Sequence, residues 1–234
     1  MTNMPARALV IAAHPDDADY GAGGLIATWT AQGCTVTVVC VTDGDSGGFD
    51  AKVAREDVPG IRRAEQQAAA DALGVFECVF LGRPDGWVVV DRELRLELAR
   101  TIRRVRPEVV VTHAAERNYR FVYLSHPDHL ATGAAALAAV YPDARNEFAF
   151  PELELAPWEV AEVWQFGGPE DNRAVDVTDV FALKVKACSA HDSQTPMLDG
   201  GVEEQLREDL GRTAAEHGLP AGRLAESFRV IPTA

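Results

Sequence analysis

The sequence predicts an α/β fold, a mainly parallel sheet with helices on both faces. Strand-like and helix-like segments alternate four times over the first 140 residues, the signature of parallel strands joined by helical crossovers. At 234 residues, with 47% apolar and 25% charged side chains, the chain has the size and composition of one globular domain. An apolar first strand, Ala8-Leu9-Val10-Ile11, leads straight into Ala12-Ala13-His14-Pro15-Asp16-Asp17. Polar groups therefore stand at the carboxyl end of a strand, where α/β sheets bind their ligands.

Residues 7–13 read as the first strand and 20–32 as a helix rich in Ala and Leu, closed by Gly33. Thr35–Val41, with alternating β-branched residues, is the second strand. A long glycine-bearing loop runs from Thr42 to Gly60, and loops of that kind are more often functional than idle. An Ala-rich helix over Gly60–Leu73 ends at Gly74, a C-cap residue, and Val75–Leu81 is the third strand. The turn Gly82-Arg83-Pro84-Asp85-Gly86 precedes an amphipathic helix over 91–105, with Leu94, Leu98, Ile102 and Val105 on one face and Pro107 as its stop. Glu108–His113 is the fourth strand; a polar and aromatic loop over 114–125 follows it, and His126-Pro127-Asp128-His129 opens a helix to about Val140. The proline-bearing stretch 141–159 reads as irregular, Val160–Phe166 as a strand, Val177–Ala190 as a helix and 201–216 as a polar, exposed helix. The expected organisation is a single domain, residues 1–234, with a C-terminal helical segment over about 200–234.

A net charge of −14 argues against nucleic acid and anionic membrane surfaces as partners, because both require a basic face. The longest apolar run is too short to span a bilayer, and residues 1–7 lack a secretory pattern. Cys34, Cys40, Cys78 and Cys188 form no Cys-x-x-Cys pair, and three lie in or beside apolar runs, so they read as buried reduced thiols. These features predict a cytoplasmic protein. The apolar run 134–140 suits either a core or a subunit interface, which leaves a homo-oligomer open.

Taken alone, His14-Pro15-Asp16-Asp17 is also a good helix start, since Pro favours the first helical position and Asp the first turn. The second unit, His126-Pro127-Asp128-His129, is what favours chemistry. A tight turn across Pro15 points His14 and Asp17 at one metal and leaves Asp16 free to handle protons. His126 and His129 lie one turn apart, so both could face the pocket and only one need be a ligand; His129 takes the place in the second unit that Asp17 takes in the first, which assigns a set of two imidazoles and one carboxylate: His14, Asp17 and His129. A catalytic zinc site keeps three protein ligands and an open position, and the same donors suit Fe2+. Asp16 beside a metal-activated water is a natural general base, and His126, oriented by Asp128, suits an acid or oxyanion-stabilising role. The combination predicts metal-assisted hydrolysis of a carbonyl-type bond. His113 at a strand end reads mainly as a packed residue, and His191 as an imidazole at a helix C-terminus.

These residues resemble the PIG-L/LmbE-like zinc-dependent N-deacetylases over most of residues 7–194. The resemblance rests on the two His-Pro-Asp units, Arg62-x-x-Glu65 with Leu73-Gly74, Arg83-Pro84-Asp85-Gly86, Val175-Asp176-Val177, Lys184 and His191-x-Ser193-Gln194. It implies a Rossmann-like three-layer sandwich, a Zn2+ cofactor and removal of an N-acetyl or related acyl group from an amino sugar or its conjugate. It implies metal ligands at His14, Asp17 and His129, a general base at Asp16, an electrostatic or acid residue at His126, and substrate contacts at Arg62 and Asp85. Two positions depart from the family pattern. Ala18 stands where Glu is common, with Asp19 one residue on. Leu124 stands where some members carry Tyr, with Tyr123 displaced by one. The oxyanion is then held either by a reoriented Tyr123 or by the metal and His126 alone.

Three rival readings fare worse. Gly21-Ala22-Gly23-Gly24 hints at a dinucleotide-binding module, but Ile26 stands where the last glycine belongs, and His14–Asp17 occupy the turn a pyrophosphate needs. An Fe(II) oxidoreductase using the same triad would sit on an unusual scaffold. A structural metal site would be closed and rich in cysteine. Loops 43–60, 114–125 and 141–159 are expected to form the pocket rim. Of Arg55, Arg62, Arg83, Arg117 and Arg120, only Arg62 is favoured by its motif position.

Overall fold

A computed structural model describes residues 4–48, 50, 52–194 and 201–233. Its sheet is built from β1 (Arg7–Ala12), β2 (Thr35–Thr42), β3 (Glu77–Arg83), β4 (Val109–His113), β5 (Glu162–Phe166), β6 (Arg173–Asp176) and β7 (Ala225–Pro232). The strand order is β3-β2-β1-β4-β5-β7-β6. β1 to β5 are parallel, and β7 runs antiparallel to both β5 and β6. The chain winds outward from β1 to β3, then returns to place β4 on the other side of β1. The reversal leaves a crevice between β1 and β4 at the carboxyl ends of the strands.

The period of two along β1 sorts its side chains into two layers. Ala8, Val10 and Ala12 pack with α1 (Asp17–Ala31), α2 (Val58–Leu73) and α5 (Phe181–Cys188), through Leu25, Ile26, Leu73 and Ala187. Leu9 and Ile11 pack with α3 (Arg92–Val105) and α4 (Pro127–Ala138), through Leu94, Leu98, Ile102 and Ala135. Each buried Leu or Ile contributes about 1.5–3 kcal/mol. The Asp91 carboxylate caps α3 by accepting from the Leu94 amide at 2.7 Å. α4 crosses the end of β4 at Gly133, where a Cβ would lie 2.4 Å from the His113 carbonyl oxygen; only glycine permits that approach.

The structure extends the sequence reading in places. α1 starts at Asp17 rather than residue 20, and the helix expected over 177–190 is α5 after a single 3₁₀ turn at Thr178–Val180. The helical segment beyond residue 200 is α6 (Val202–Glu216) only; Ala225–Pro232 is a strand. α6 is not wholly exposed, since Val202, Leu206, Leu210 and Ala214 recur every four residues and are buried, the first three against Phe181 and Leu224. Ala135, Ala136, Ala139 and Val140 lie in the core. The four cysteines are free thiols; Cys78 is half-buried and the others are buried. No helix among the described residues is long and apolar enough to cross a membrane.

The irregular stretch after α4 is organised by one side chain and packs on α3. Arg103, 3% exposed, donates to the carbonyls of Asp143, Ala144, Asn146, Ala149 and Leu155 at 2.7–3.3 Å. Arg103→Met removes every donor and leaves these carbonyls to find others. We expect it to cost about 3 kcal/mol and to lower Tm by roughly 6–12 °C. A shift of less than about 1 kcal/mol in thermal unfolding would mean that the loop is held by other contacts.

Candidate metal centre and active site

At the end of β1 the backbone turns sharply. Asp16 has φ 106° and ψ −34°, a conformation that costs a residue with a side chain about 1–3 kcal/mol. Its carbonyl accepts from the amides of Asp19 and Tyr20 and so starts α1. The Asp17 carboxylate folds back to accept from the His14 amide at 2.7 Å. His14 and Asp17 consequently face the same point, and α4 brings His129 to it from across the crevice. The Nδ1 of His14 lies 3.2 Å from Asp17 Oδ2 and 3.3 Å from His129 Nε2, and Asp17 Oδ1 lies 3.2 Å from His129 Nε2.

Partners of the far nitrogens fix both tautomers. His14 Nε2–H donates to Asp85 Oδ1 at 3.1 Å and Asp128 Oδ2 at 3.2 Å, which leaves the lone pair on Nδ1. His129 Nδ1–H donates to the Leu124 carbonyl at 3.2 Å, which leaves the lone pair on Nε2. Two imidazole lone pairs and a carboxylate thus converge. The separation of the two imidazole nitrogens, 3.3 Å, is that of neighbouring ligands on one tetrahedral ion with bonds of about 2.0–2.1 Å, while Asp17 meets the two rings through different oxygens. The donor set fits a zinc ion held by three protein ligands.

The electrostatics favour a cation there as well. Burial works against charge on His14, yet Asp17 and hydrogen bonds to Asp128, Asp17 and Asp85 push its pKa up to about 12, so a metal ion would take the place of a second proton on Nδ1. Burial also works against charge on Asp17, but His129, His113 and His14 hold it well below the usual carboxylate range. Burial and the Asp17 charge push Asp16 up to about 6, against the pull of Arg62, His191 and His14. His126 caps α4: its Nδ1 accepts from the Asp128 amide at 3.2 Å, so its proton sits on Nε2. Burial and the neighbouring His14 and His129 lower its pKa.

Several expected roles change on inspection. The Asp128 carboxylate orients His14 rather than His126, and its oxygens also accept from the Gly86 amide at 2.7 Å and the Val88 amide at 3.1 Å. Asp85, expected on substrate, is 8% exposed and is spent on His14 and the Ser46 amide. Arg62, also expected on substrate, is 4% exposed; its Nη2 donates to Asp16 Oδ2 at 2.9 Å and to the Pro15 carbonyl. Arg55 and Arg83 are engaged away from the site, on backbone carbonyls and on Asp91 with Glu97, and Arg120 pairs with Glu216. His113 packs against the cluster: its ring stacks on His129, and its Nε2 lies 3.1 Å from the Ala13 amide and 3.2 Å from Asp17 Oδ2, so Asp17, His113 and His129 also form a group that could hold a metal. His191 is fully buried and meets Asp19 Oδ2 at 2.9 Å. A cavity of about 600 Å3 opens beside Asp17, His113 and His129, with Arg117, Tyr119 and Tyr123 in its wall. The loop 114–125 thus lines it, whereas 141–159 is not part of its wall. Gly21–Gly24 lie inside α1, and the amide of Gly24 is taken by Glu226, so no phosphate cradle exists there.

The domain is an α/β protein with a mainly parallel sheet whose switch point carries a His/Asp group that could hold a metal ion. The chain belongs to the PIG-L family: the family profile, described as GlcNAc-PI de-N-acetylase, matches residues 9–140. It is 31% identical to the diacetylchitobiose deacetylase of Thermococcus kodakarensis, across 98% of this chain and 85% of that protein. It is 30% identical to the 1D-myo-inositol 2-acetamido-2-deoxy-alpha-D-glucopyranoside deacetylase 1 of Saccharopolyspora erythraea, across 82% of this chain and 79% of that one. The solved N,N'-diacetylchitobiose deacetylase of Pyrococcus horikoshii superposes with a TM-score of 0.88 at 31% identity, covering 97% of this chain and 84% of its own.

Gln66 and Glu226, which the sequence did not single out, support the site together with Asp19 and Lys184, which it named without a role. Gln66 lies on the buried face of α2 with Arg62, Ala69, Ala70 and Leu73, and a polar residue at such a position is the signal. Lys184 Nζ donates to the carbonyls of Asp19 and Tyr20 and to Glu226 Oε1 at 2.6–2.8 Å, while Glu226 accepts from the amides of Gly24 and Leu25. This fully buried ion pair thus ties β7 and α5 into the middle of α1, where a Cβ on Gly24 would come within 2.6 Å of Val177. Lys184→Met leaves the Glu226 charge uncompensated and is expected to cost about 3–5 kcal/mol. Lys184→Met with Glu226→Gln should recover part of that loss in denaturant unfolding; equal losses would mean that the charge pairing is irrelevant.

Proposed function

We propose that the chain is a metal-dependent N-deacetylase that hydrolyses an N-acetyl or related N-acyl group on an amino sugar or amino-sugar conjugate. The observation that carries this reading is the convergence of His14 Nδ1, Asp17 and His129 Nε2 at 3.2–3.3 Å with both tautomers fixed. His14, Asp17 and His129 would hold a divalent cation. A divalent cation at such a centre supplies Lewis acidity to a water and to the scissile carbonyl. Asp16 takes a proton of the attacking water and later gives it to the departing amine, so the amide C–N bond breaks to give a carboxylic acid and an amine, which separate as carboxylate and ammonium once the acid's proton passes to the amine. Arg62 holds the Asp16 carboxylate in place. His126, with its proton on Nε2, donates to the oxyanion. Asp128 and Asp85 hold the His14 ring.

The relatives' names supply the substrate class, since they act on acetylated amino-sugar compounds. The sugar and its substituent extend into the cavity beside Asp17 and His129, with Tyr123 on the rim, 73% exposed. The expected cofactor is zinc; metal analysis of purified protein distinguishes it from Fe2+.

The test is amine release from a panel of N-acetylglucosamine compounds by zinc-loaded protein. Asp16→Asn should lower kcat by about 10²–10⁴ with metal still bound, and His126→Ala by about 10²–10³. Removal of metal by a chelator should abolish release, and zinc should restore it. Full turnover by chelated protein, or by the Asp16 variant, would sink the reading. Asp128→Ala should weaken zinc binding about 10–100-fold, read by competition with a zinc dye; unchanged affinity would mean that His14 does not depend on it.

A further inference from the structure

We propose that Gln66 is a positioning residue for the general base: from the buried face of α2 it clamps the Pro15–Asp16 peptide in the orientation that gives Asp16 its positive φ. The proposal rests on the assignment of Asp16 as that base.

The strain at Asp16 lies in the direction of one peptide plane, and both polar ends of that plane are held by α2. The Pro15 carbonyl accepts from Arg62 Nη2, and the Asp16 amide donates to Gln66 Oε1 at 2.8 Å. Arg62 and Gln66 are four residues apart and so share one helix face. Rotation of this plane is what would relieve a φ of 106°, and it would break both contacts. Arg62 also holds the Asp16 carboxylate at 2.9 Å, so the plane and the side chain are fixed by neighbouring groups.

The Gln66 amide is itself fixed. It is fully buried, and its Nε2 donates to Asp19 Oδ2 at 2.9 Å, so its oxygen faces the Asp16 amide. The same Asp19 oxygen meets His191 Nε2 at 2.9 Å. Asp19 is the carboxylate that stands one residue beyond the Glu position that this chain fills with Ala18. The chain His191–Asp19–Gln66 therefore reaches the base through its main chain and touches none of His14, Asp17 or His129. An ordinary stabilising role for Gln66 makes a different forecast: a loss of stability with no dependence on Asp16.

The experiment uses Gln66→Met, close in shape but without donor or acceptor, in the full-length zinc-loaded protein. In its crystal structure the Asp16 φ should leave the positive region. Zinc affinity should stay within about twofold, because the ligands are untouched. On an N-acetylglucosamine substrate kcat should fall about 10–100-fold with little change in KM. Placed in an Asp16→Asn background, the same substitution should produce no further loss, as expected of groups acting as a unit. Gln66→Glu, with its carboxyl protonated on the oxygen that faces Asp19, keeps both the acceptor for the Asp16 amide and the donor to Asp19; assayed below the pH at which that carboxyl ionises, it should hold the positive φ and most of kcat, and it serves if the Met variant does not fold. A Met variant with the Asp16 conformation intact would overturn the proposal, as would equal losses of kcat with and without Asp16, or a Glu variant in which φ relaxes at that pH. If wild-type protein releases no amine from any compound, the reading of Asp16 as a base fails on that result, while the crystallographic arm still decides whether Gln66 holds the peptide.

Discussion

The nitrogen of His14 that carries the proton governs how three segments of the chain meet. With the proton on Nε2, the ring donates to Asp85 in the turn after β3 and to Asp128 at the start of α4, and presents its lone pair to Asp17 and His129. Asp128 is in turn held by the Gly86 and Val88 amides, so the same carboxylate also joins the turn after β3 to α4. The other tautomer would set an unprotonated nitrogen against two carboxylates and direct the proton at the donor cluster. The fixed ring is thus a requirement of the surrounding charge, and the geometry of the cluster follows from it.

Behind the cluster, polar groups occupy positions that a helix usually gives to core residues. Arg62 and Gln66 share the inward face of α2 with alanines, and Lys184 with Glu226 enters the middle of α1. Buried charges of this kind are costly unless paired and hydrogen-bonded, and here each bonds backbone as well as partner. They fix the Pro15–Asp16 peptide and the middle of α1 by directional contacts that apolar packing cannot supply.

Much of this was legible in the sequence because it is local. The β-branched runs marked β1, β2 and β4, and the spacing within His14–Asp17 and His126–His129 identified both sides of the cluster. The expected proximity of His14, Asp17 and His129 matches the fold. What escaped depends on long-range pairing. β7 lies between β5 and β6 while carrying Glu226 and Arg229, and its charges read as surface until Lys184 is seen opposite Glu226. Arg62 and Asp85 looked like substrate contacts because motif position names a residue's neighbourhood and not its partner; the partners are Asp16 and His14. Asp128 was read with His126 alone; its amide does reach His126, but its carboxylate points across the crevice to His14, a partner far away in sequence.

The guanidinium of Arg103 has a bearing on how this chain can diverge. It recognises the segment 143–155 through main-chain oxygens only. Every residue type offers the same carbonyl, so this part of the hold on the segment is indifferent to its letters, whereas Arg95 reads one of them, the buried Asp143 carboxylate, at 2.7–2.8 Å. Selection can rewrite its outward-facing side chains, such as Phe148 at 82% exposure, without renegotiating the backbone path. The fold thereby separates a surface that is free to drift from a centre whose residues are bound to one another.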